Sequence, residues 1–254
     1  MQSATRALMG NPSAGACLPD VLEQLAEAGI HFRRSQLSMI VAGPGVGKSA
    51  VATILAARMG AGSLYFSADT DPHTMTCRLA AAVSGVDQET VDVALREGRG
   101  EQYLEIVDGL DHLQFCYEPS PDLFDIHEEV DCYAMVFGEY PEFIVVDNLM
   151  DVYAEGEDLK AKKTVLDELN TLARDIEAHV MVLHHAVGEY ENGDKPIPLK
   201  GIDNKLGKKP TLILSLYRVV DAWTNSLGVC PIKHRNGKAD SNAKWAIWFK
   251  LDLA

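Results

Sequence analysis

The chain has 254 residues, 47% of them hydrophobic and 24% charged, which suits one large α/β domain with a substantial core. Its formal net charge of -14 excludes a protein that coats nucleic acid over its whole surface, while leaving room for a local basic groove. No apolar run approaches membrane-spanning length and the first residues lack a signal-peptide core, so the expectation is a soluble cytoplasmic protein with no membrane partner. The five cysteines (Cys17, Cys77, Cys116, Cys132, Cys230) are odd in number, scattered and without a CxxC pair. They fit a reducing compartment and predict neither a disulfide framework nor a zinc site.

Residues 1–17 carry Gly, Pro, Ser and Ala without periodicity and read as a loose arm. From Leu18 to Ala28, apolar Val21, Leu22, Leu25 and Ala26 share a face, which predicts a short amphipathic helix packed on its own domain. The apolar run Leu37 to Val41 then leads into Ala42-Gly43-Pro44-Gly45-Val46-Gly47-Lys48-Ser49, followed by a helical pattern from Ala50 to Met59. A strand, a glycine-rich turn and a helix start make a phosphate cradle, because converging backbone N–H groups and the helix N-terminus both attract an anion. Residues Gly43 to Ala50 would hold a nucleoside triphosphate, with Lys48 on the β- and γ-phosphates and the Ser49 hydroxyl on Mg²⁺. Ala42 replaces the usual first glycine, a position that only has to turn the chain out of the strand.

Ser63–Ser67 reads as a second strand, and Pro72 opens a helix reaching Arg78 and Ala82. Helical patterns follow at Gln88–Arg96 and Gly100–Val107, a strand at His112–Tyr117, and a helix from about Asp122 to Glu139. This middle region is acidic (Glu105, Asp108, Asp111, Glu118, Asp122, Asp125, Glu128, Glu129, Asp131) and reads as a solvated outer face. Within Pro141 to Asp147, Phe143 to Val146 is a continuous apolar run ending at Asp147, the pattern of a strand buried on both faces. An aspartate at the carboxyl end of such a strand lies where parallel sheets bind ligands, and beside a phosphate loop it serves Mg²⁺. Lys162–Ala178 reads as a helix, and His179–Leu183 as a further core strand ending in His184-His185. Neighbouring strand residues face opposite ways, so one of the two histidines lies at the ligand edge.

Ala186 to Pro210 is long and polar, and its lysines Lys195, Lys200, Lys205, Lys208 and Lys209 form the clearest basic island of the chain. No aromatic residues interleave among those lysines, so base stacking is not indicated. Thr211–Tyr217 and Leu227–Lys233 read as strands, Asn236-Gly237 as a hairpin turn, and Ala243–Leu251 as the returning strand. Lys233 and Arg235 share one face of an extended chain and His234 takes the other.

These landmarks, in this order, resemble the RecA-like ATPase core of the hexameric replicative helicases of DnaB and RepA type, over roughly residues 30–250. The resemblance implies a RecA-like P-loop NTPase, an α/β fold with a mostly parallel central sheet flanked by helices and a C-terminal β-hairpin extension. Residues 31–254 would form that domain and residues 1–30 an N-terminal arm with a short helix. ATP and Mg²⁺ are the implied cofactors, with Ser49 and Asp147 as metal ligands. Ser67-Ala68-Asp69 resembles the DnaB segment Ser-Leu-Glu, which puts Asp69 at the catalytic glutamate's place, with Asp71 as substitute. His185 falls where the family has a γ-phosphate-sensing glutamine. Lys233-His234-Arg235-Asn236-Gly237 is similar to the family's Lys-x-Arg-Asn-Gly element, whose cations act on a neighbouring subunit's γ-phosphate.

The same resemblance implies a homo-oligomeric ring, a hexamer in the family, with the lysine segment facing a channel that holds single-stranded or branched DNA. It also points to a bacterial or phage-infected host cell. No counterpart of the DnaB primase-interacting domain is present, which puts primase binding in doubt. Three activities follow as expectations: an ATP-hydrolysing DNA helicase or single-strand translocase in replication or recombination; a structure-specific, Mg²⁺-dependent nuclease or recombination factor on the same fold; and a non-motor ATP-binding regulator.

Overall fold

The computed structural model describes residues 14–156, 159–202, 206–221 and 225–251. Its centre is an eight-stranded sheet in the order β3-β2-β4-β5-β1-β6-β7-β8. The strands are β1 (Gln36–Ala42), β2 (Ser63–Ser67), β3 (Leu113–Cys116), β4 (Phe143–Asp147), β5 (His179–His185), β6 (Leu212–Val220), β7 (Asn225–His234) and β8 (Ile247–Lys250). The six from β3 to β6 run parallel, and β7 and β8 add antiparallel pairs at the β6 edge. The fold is therefore the expected mostly parallel sheet with an antiparallel C-terminal extension.

Helices cover both faces. They are α1 (Glu23–Glu27), α2 (Lys48–Met59), α3 (Pro72–Ser84), α4 (Gln88–Arg96), α5 (Glu101–Asp108), α6 (Leu123–Phe137) and α7 (Leu159–Asp175). The central strands are buried and largely apolar because each face has its own core, and the apolar residues alternate between the two. Leu37, Met39, Val41, Ile144, Val146, Val180 and Val182 join the residues of α6 and α7 on one face. Ile40, Ala42, Phe143, Val145, Met181 and Leu183 join those of α2 on the other. This alternation carries into His184 and His185, so the pair divides between the two faces. A third, small cluster of Cys77, Ala80, Val91 and Tyr103 ties α3, α4 and α5 together.

The predicted helix at Leu18–Ala28 shrinks to Glu23–Glu27. The Leu18 N–H is taken by the Phe32 carbonyl at 2.8 Å and Cys17 bridges Arg33, so this backbone is committed to an extended pairing. Leu18 and Leu25 are nonetheless buried in the α2-side core, so the described part of the arm packs on its own domain. The tight Asn236-Gly237 hairpin is also corrected. β8 pairs with Ser226–Val229 at the far end of β7, and residues 235–246 form the connection, braced by the Asp240 N–H on the Pro231 carbonyl. In the acidic middle region Glu105, Asp108, Asp111, Glu118, Glu128, Glu129 and Asp131 are exposed, as expected of a solvated face. Asp122 and Asp125 instead form a reciprocal capping box at the start of α6.

Candidate nucleotide-binding site

The phosphate loop leaves β1 at its carboxyl end, where Ala42 is fully buried and pairs with His185 of β5. A glycine at that point would add nothing, since the strand is still regular there. Gly45 (φ +70°) and Gly47 (φ +118°) do need left-handed backbone, which turns the chain into α2. Gly43 is required for a different reason. A Cβ there would collide with the Glu191 carbonyl oxygen and lie 3.0 Å from the Gly193 nitrogen. The loop is thus pressed against the backbone of the segment that follows β5. Gly193 completes the contact, since a Cβ on it would collide with the Val46 side chain.

Lys48, Ser49, Asp69, Asp147 and His185 line one cleft of about 310 Å³, together with Gly45, Gly47 and Ala50. Five site residues read from widely separated stretches of sequence are brought together there. Pro44 and Val46 belong to the same turn, and Val46 lines an adjoining apolar groove with Gly45, Gly47 and Ala50. The Lys48 ammonium is buried and donates to the Ala42 and Gly43 carbonyls and to His185 Nδ1, each at 3.1 Å. Burial pulls its pKa down to about 8, and the nearby Asp147 charge opposes that fall. Burial, and then the Lys48 charge, lower the His185 pKa, so the imidazole is neutral and its Nδ1 accepts.

Asp147 ends β4 nearly buried, and the Tyr65 hydroxyl donates to its Oδ2 at 2.8 Å. That hydroxyl is locked as a donor, because burial and the Asp147 charge push its pKa well above the usual phenol range. Asp69 accepts from Asn148 Nδ2 at 3.2 Å, and Asn148 is itself fixed by Asp151 and by the Met150 N–H. Asp71, the substitute, does not line this cleft. Its carboxylate caps α3 on the Thr74 N–H and hydroxyl, bonds that lower its pKa. Four residues of the site escaped the sequence reading: Tyr65, Asn148, Arg78 and Gln88. Arg78, held by Thr70 Oγ1 at 3.0 Å, and Gln88, the first residue of α4, both line the cleft. A Tyr inside an apolar strand and an Asn after the strand's Asp were the available signals.

Lys233 and Arg235 lie at the opposite end of the sheet. β7 is antiparallel to β6, and the Arg235 N–H bonds the Thr211 carbonyl while the Thr211 N–H bonds the carbonyl of Leu37 at the start of β1. Lys233 Nζ donates to the Gly207 and Lys208 carbonyls at 2.8 and 2.7 Å, and Arg235 reaches Lys208 O at 3.3 Å. Burial and the Arg235 charge bring the Lys233 pKa down to about 8.

The basic island does not form one patch. Lys195 pairs with Glu189 at 3.1 Å, beside the phosphate loop. Lys200 lines a cleft of about 500 Å³ with His184, His185 and Met150. Lys209 pairs with Asp167 of α7 at 2.7 Å, and Lys208 neighbours Lys233 at the far end of the sheet. Lys205 lies outside the described residues. Nor is the segment wholly polar in behaviour, since Ile197, Ile202 and Leu206 are buried in the α6/α7-side core.

Comparison with known proteins agrees with this architecture. A profile described as an AAA domain matches residues 13–188. The chain is 37% identical over 251 residues to the gene 65 protein of Mycobacterium phage L5, covering 96% of this chain and 93% of the relative. It is 36% identical over 209 residues to the gene 65 protein of Mycobacterium phage D29, covering 80% and 89%. Among solved structures, a DnaB-like replicative helicase, described with its primase interactions, superposes with a TM-score of 0.72 at 15% identity over 94% of this chain. This chain spans 63% of that helicase's length. A second solved structure, an isolated ATPase domain, gives 0.71 at 14% identity, covering 92% of this chain and 89% of that domain. The KaiC-like protein PH0186 of Pyrococcus horikoshii OT3 gives 0.60 at 13% identity, covering 94% and 96%. At these identities the structures establish the fold alone, which is RecA-like.

Proposed function

The chain belongs to the AAA-domain family, and from that premise we propose that it is an ATP-hydrolysing motor that acts on DNA as a ring of identical subunits. One observation carries the reading. Lys48, Ser49, Asp69, Asp147 and His185 converge on one cleft, while Lys233 and Arg235 stand at the other end of the same sheet. Cations so placed are out of reach of their own subunit's cleft and would serve a neighbour's nucleotide, and a head-to-tail contact repeated around a closed rotation makes a ring.

In this reading the phosphate loop and Lys48 hold the triphosphate, and Asp69, oriented by Asn148, polarises the attacking water. Ser49 Oγ and the Asp147 carboxylate are hard oxygen donors of the kind Mg²⁺ takes, and Tyr65 orients the second of them. When bound, that ion neutralises charge on the β- and γ-phosphates. Lys233 and Arg235 reinforce the neutralisation from the next subunit. His185 is the last residue of β5 and accepts from Lys48, so its position reports on the γ-phosphate to the segment carrying Lys195 and Lys200. Lys195, Lys200, Lys205, Lys208 and Lys209 remain the candidate DNA contacts, with Lys200 the best placed beside His185. Primase is not part of the proposal.

The test is ATP turnover with Mg²⁺, with and without single-stranded DNA, on the wild type and Lys48→Ala, with the same samples run on a gel. DNA-stimulated turnover that Lys48→Ala abolishes, with strands separated but intact, is the expected result. Strand cutting that survives Lys48→Ala would replace the motor with a nuclease, and turnover indifferent to DNA would leave an ATP-binding regulator.

A further inference from the structure

Away from the nucleotide cleft, three chemically unlike side chains meet between α3 and α4. His73 and Cys77 are one helical turn apart, so they share a face of α3, and Asp92 faces them from α4. His73 Nε2 lies 2.6 Å from Asp92 Oδ1, Cys77 Sγ lies 3.7 Å from His73 Nε2, and Cys77 Sγ lies 3.8 Å from Asp92 Oδ1. All three donor atoms fall within 4.8 Å of one another.

We propose that His73, Cys77 and Asp92 form a divalent transition-metal site, of zinc type, that staples α3 to α4. The donor set decides the metal class. A thiolate, an imidazole and one carboxylate oxygen suit Zn²⁺ and exclude a dedicated Mg²⁺ or Ca²⁺ cage, which would be built from oxygen. The geometry fits as well. Tetrahedral zinc with bonds of about 2.0–2.3 Å separates its ligands by about 3.4–3.6 Å. Both separations from sulfur are already within a few tenths of an ångström of that. Only the His73–Asp92 pair must open, by about 0.8 Å, as a metal replaces their hydrogen bond.

The surroundings support occupancy. Arg96 Nε holds the Asp92 carboxylate through Oδ1 and Oδ2, at 3.0 and 2.9 Å, and so fixes its orientation from outside the triangle. His73 and Asp92 are partly exposed, at 40% and 33% of their side-chain surface, which gives an ion entry from solvent to the buried Cys77. Binding would form a metal–sulfur bond and break the Cys77 S–H bond, with the proton released to solvent. No CxxC pair marks the site in the sequence, because its signal is a His-x-x-x-Cys spacing on a helix plus one residue from the next helix.

A staple has a structural use at this place. Met75 and Leu79 anchor α3 in the α2-side core, but the seam of α3 with α4 and α5 is the smallest of the three clusters among the described residues, four buried residues with six partly buried apolar ones around them. Arg78 follows Cys77 directly and Gln88 lies one turn from Asp92, and both line the nucleotide cleft. Metal occupancy would therefore set the spacing of two cleft residues.

The test uses the untagged full-length chain and Co²⁺ as probe. Titration should give a thiolate-to-cobalt charge-transfer band saturating at one ion per chain, displaced by Zn²⁺ and raising the melting temperature. Cys77→Ser should abolish the band and weaken Zn²⁺ binding at least about a hundredfold, while Cys132→Ser, at an exposed cysteine, keeps both. His73→Gln is the second variant and should lose binding while the metal-free melting temperature holds. A wild type without the band, or a band that persists in Cys77→Ser, would overturn the site. None of these readouts depends on ATP turnover, so the site and the motor reading stand or fall separately.

Discussion

Arg235 offers a quantitative test of the ring. β1 has seven residues, so its two ends are about 20 Å apart. Arg235 is tied to the beginning of that strand and the phosphate loop to its end, a gap no arginine side chain spans. Each active site would therefore be built from one subunit's Lys48 and its neighbour's Arg235. Arg235→Ala should retain nucleotide binding but lose roughly a thousandfold in turnover, the lower range for such a cation in phosphoryl transfer. Lys48→Ala should be inactive as well. Mixed at equal ratio under conditions of subunit exchange, the two dead proteins should regain about a quarter of wild-type turnover, since that share of interfaces pairs an intact loop with an intact cation. The assay is steady-state phosphate release across mixing ratios, with exchange confirmed by native mass spectrometry. Mixing Lys48→Ala with the double variant is the control and should restore nothing. Turnover that never exceeds the weighted mean of the parents, with exchange established, would refute the shared site.

Three further outcomes are expected. Tyr65→Phe removes the donor to the nearly buried Asp147 without opening a cavity, so it should cost about 1–3 kcal/mol in urea unfolding and lower kcat; unchanged values of both would remove Tyr65 from the site. His179 is buried neutral between Ser38 and the Arg33 carbonyl, and burial takes its pKa from 6.5 to about 4. The unfolded chain therefore binds a proton in that window that the folded chain refuses, and stability should fall as pH drops from 6.5 towards 4, by roughly 3 kcal/mol in all. His179→Gln, followed by urea unfolding at each pH, should flatten that slope. Gly193→Ala puts a methyl group on Val46 at a φ of +68°, so nucleotide affinity by fluorescence titration should fall about tenfold; an unchanged affinity would show that the loop is free of this contact.

Most of the sheet was legible because its strands are short apolar runs bounded by clear punctuation. Ser63–Ser67 and Gln88–Arg96 appear with the bounds that their residues suggest, the latter capped by Asp87 on the Thr90 N–H. Asp147 was readable, with one of His184 and His185, because the carboxyl end of a parallel strand is where such sheets place ligand groups, and the helicase resemblance singled out His185. What stayed hidden depends on pairings between distant residues. The backbone at Cys17 and Leu18 is extended because the Phe32 carbonyl takes the Leu18 N–H and Cys17 bridges Arg33, and no local pattern announces that. The lysines from Lys195 to Lys209 look like one basic stretch in sequence, yet buried Ile197, Ile202 and Leu206 pin the segment along the domain and carry its ends apart.

The same pinning gives the segment after β5 its mechanical character. A solvated lysine loop would move independently of the nucleotide. Here the Glu191 and Tyr190 carbonyls and the Gly193 nitrogen lie against the Gly43 backbone, and Val46 lies against Gly193. His185 touches Lys48 from the strand that leads into the segment, and the Ala186 N–H bonds the Ala42 carbonyl at 2.9 Å. A packed contact of this kind cannot be compressed, so a phosphate loop that tightens on its ligand must carry residues 186–193 with it or break those contacts. The glycines at 43 and 193 are what allow the approach. In this protein the link between phosphate loop and segment is steric, and His185 adds an electrostatic contact beside it.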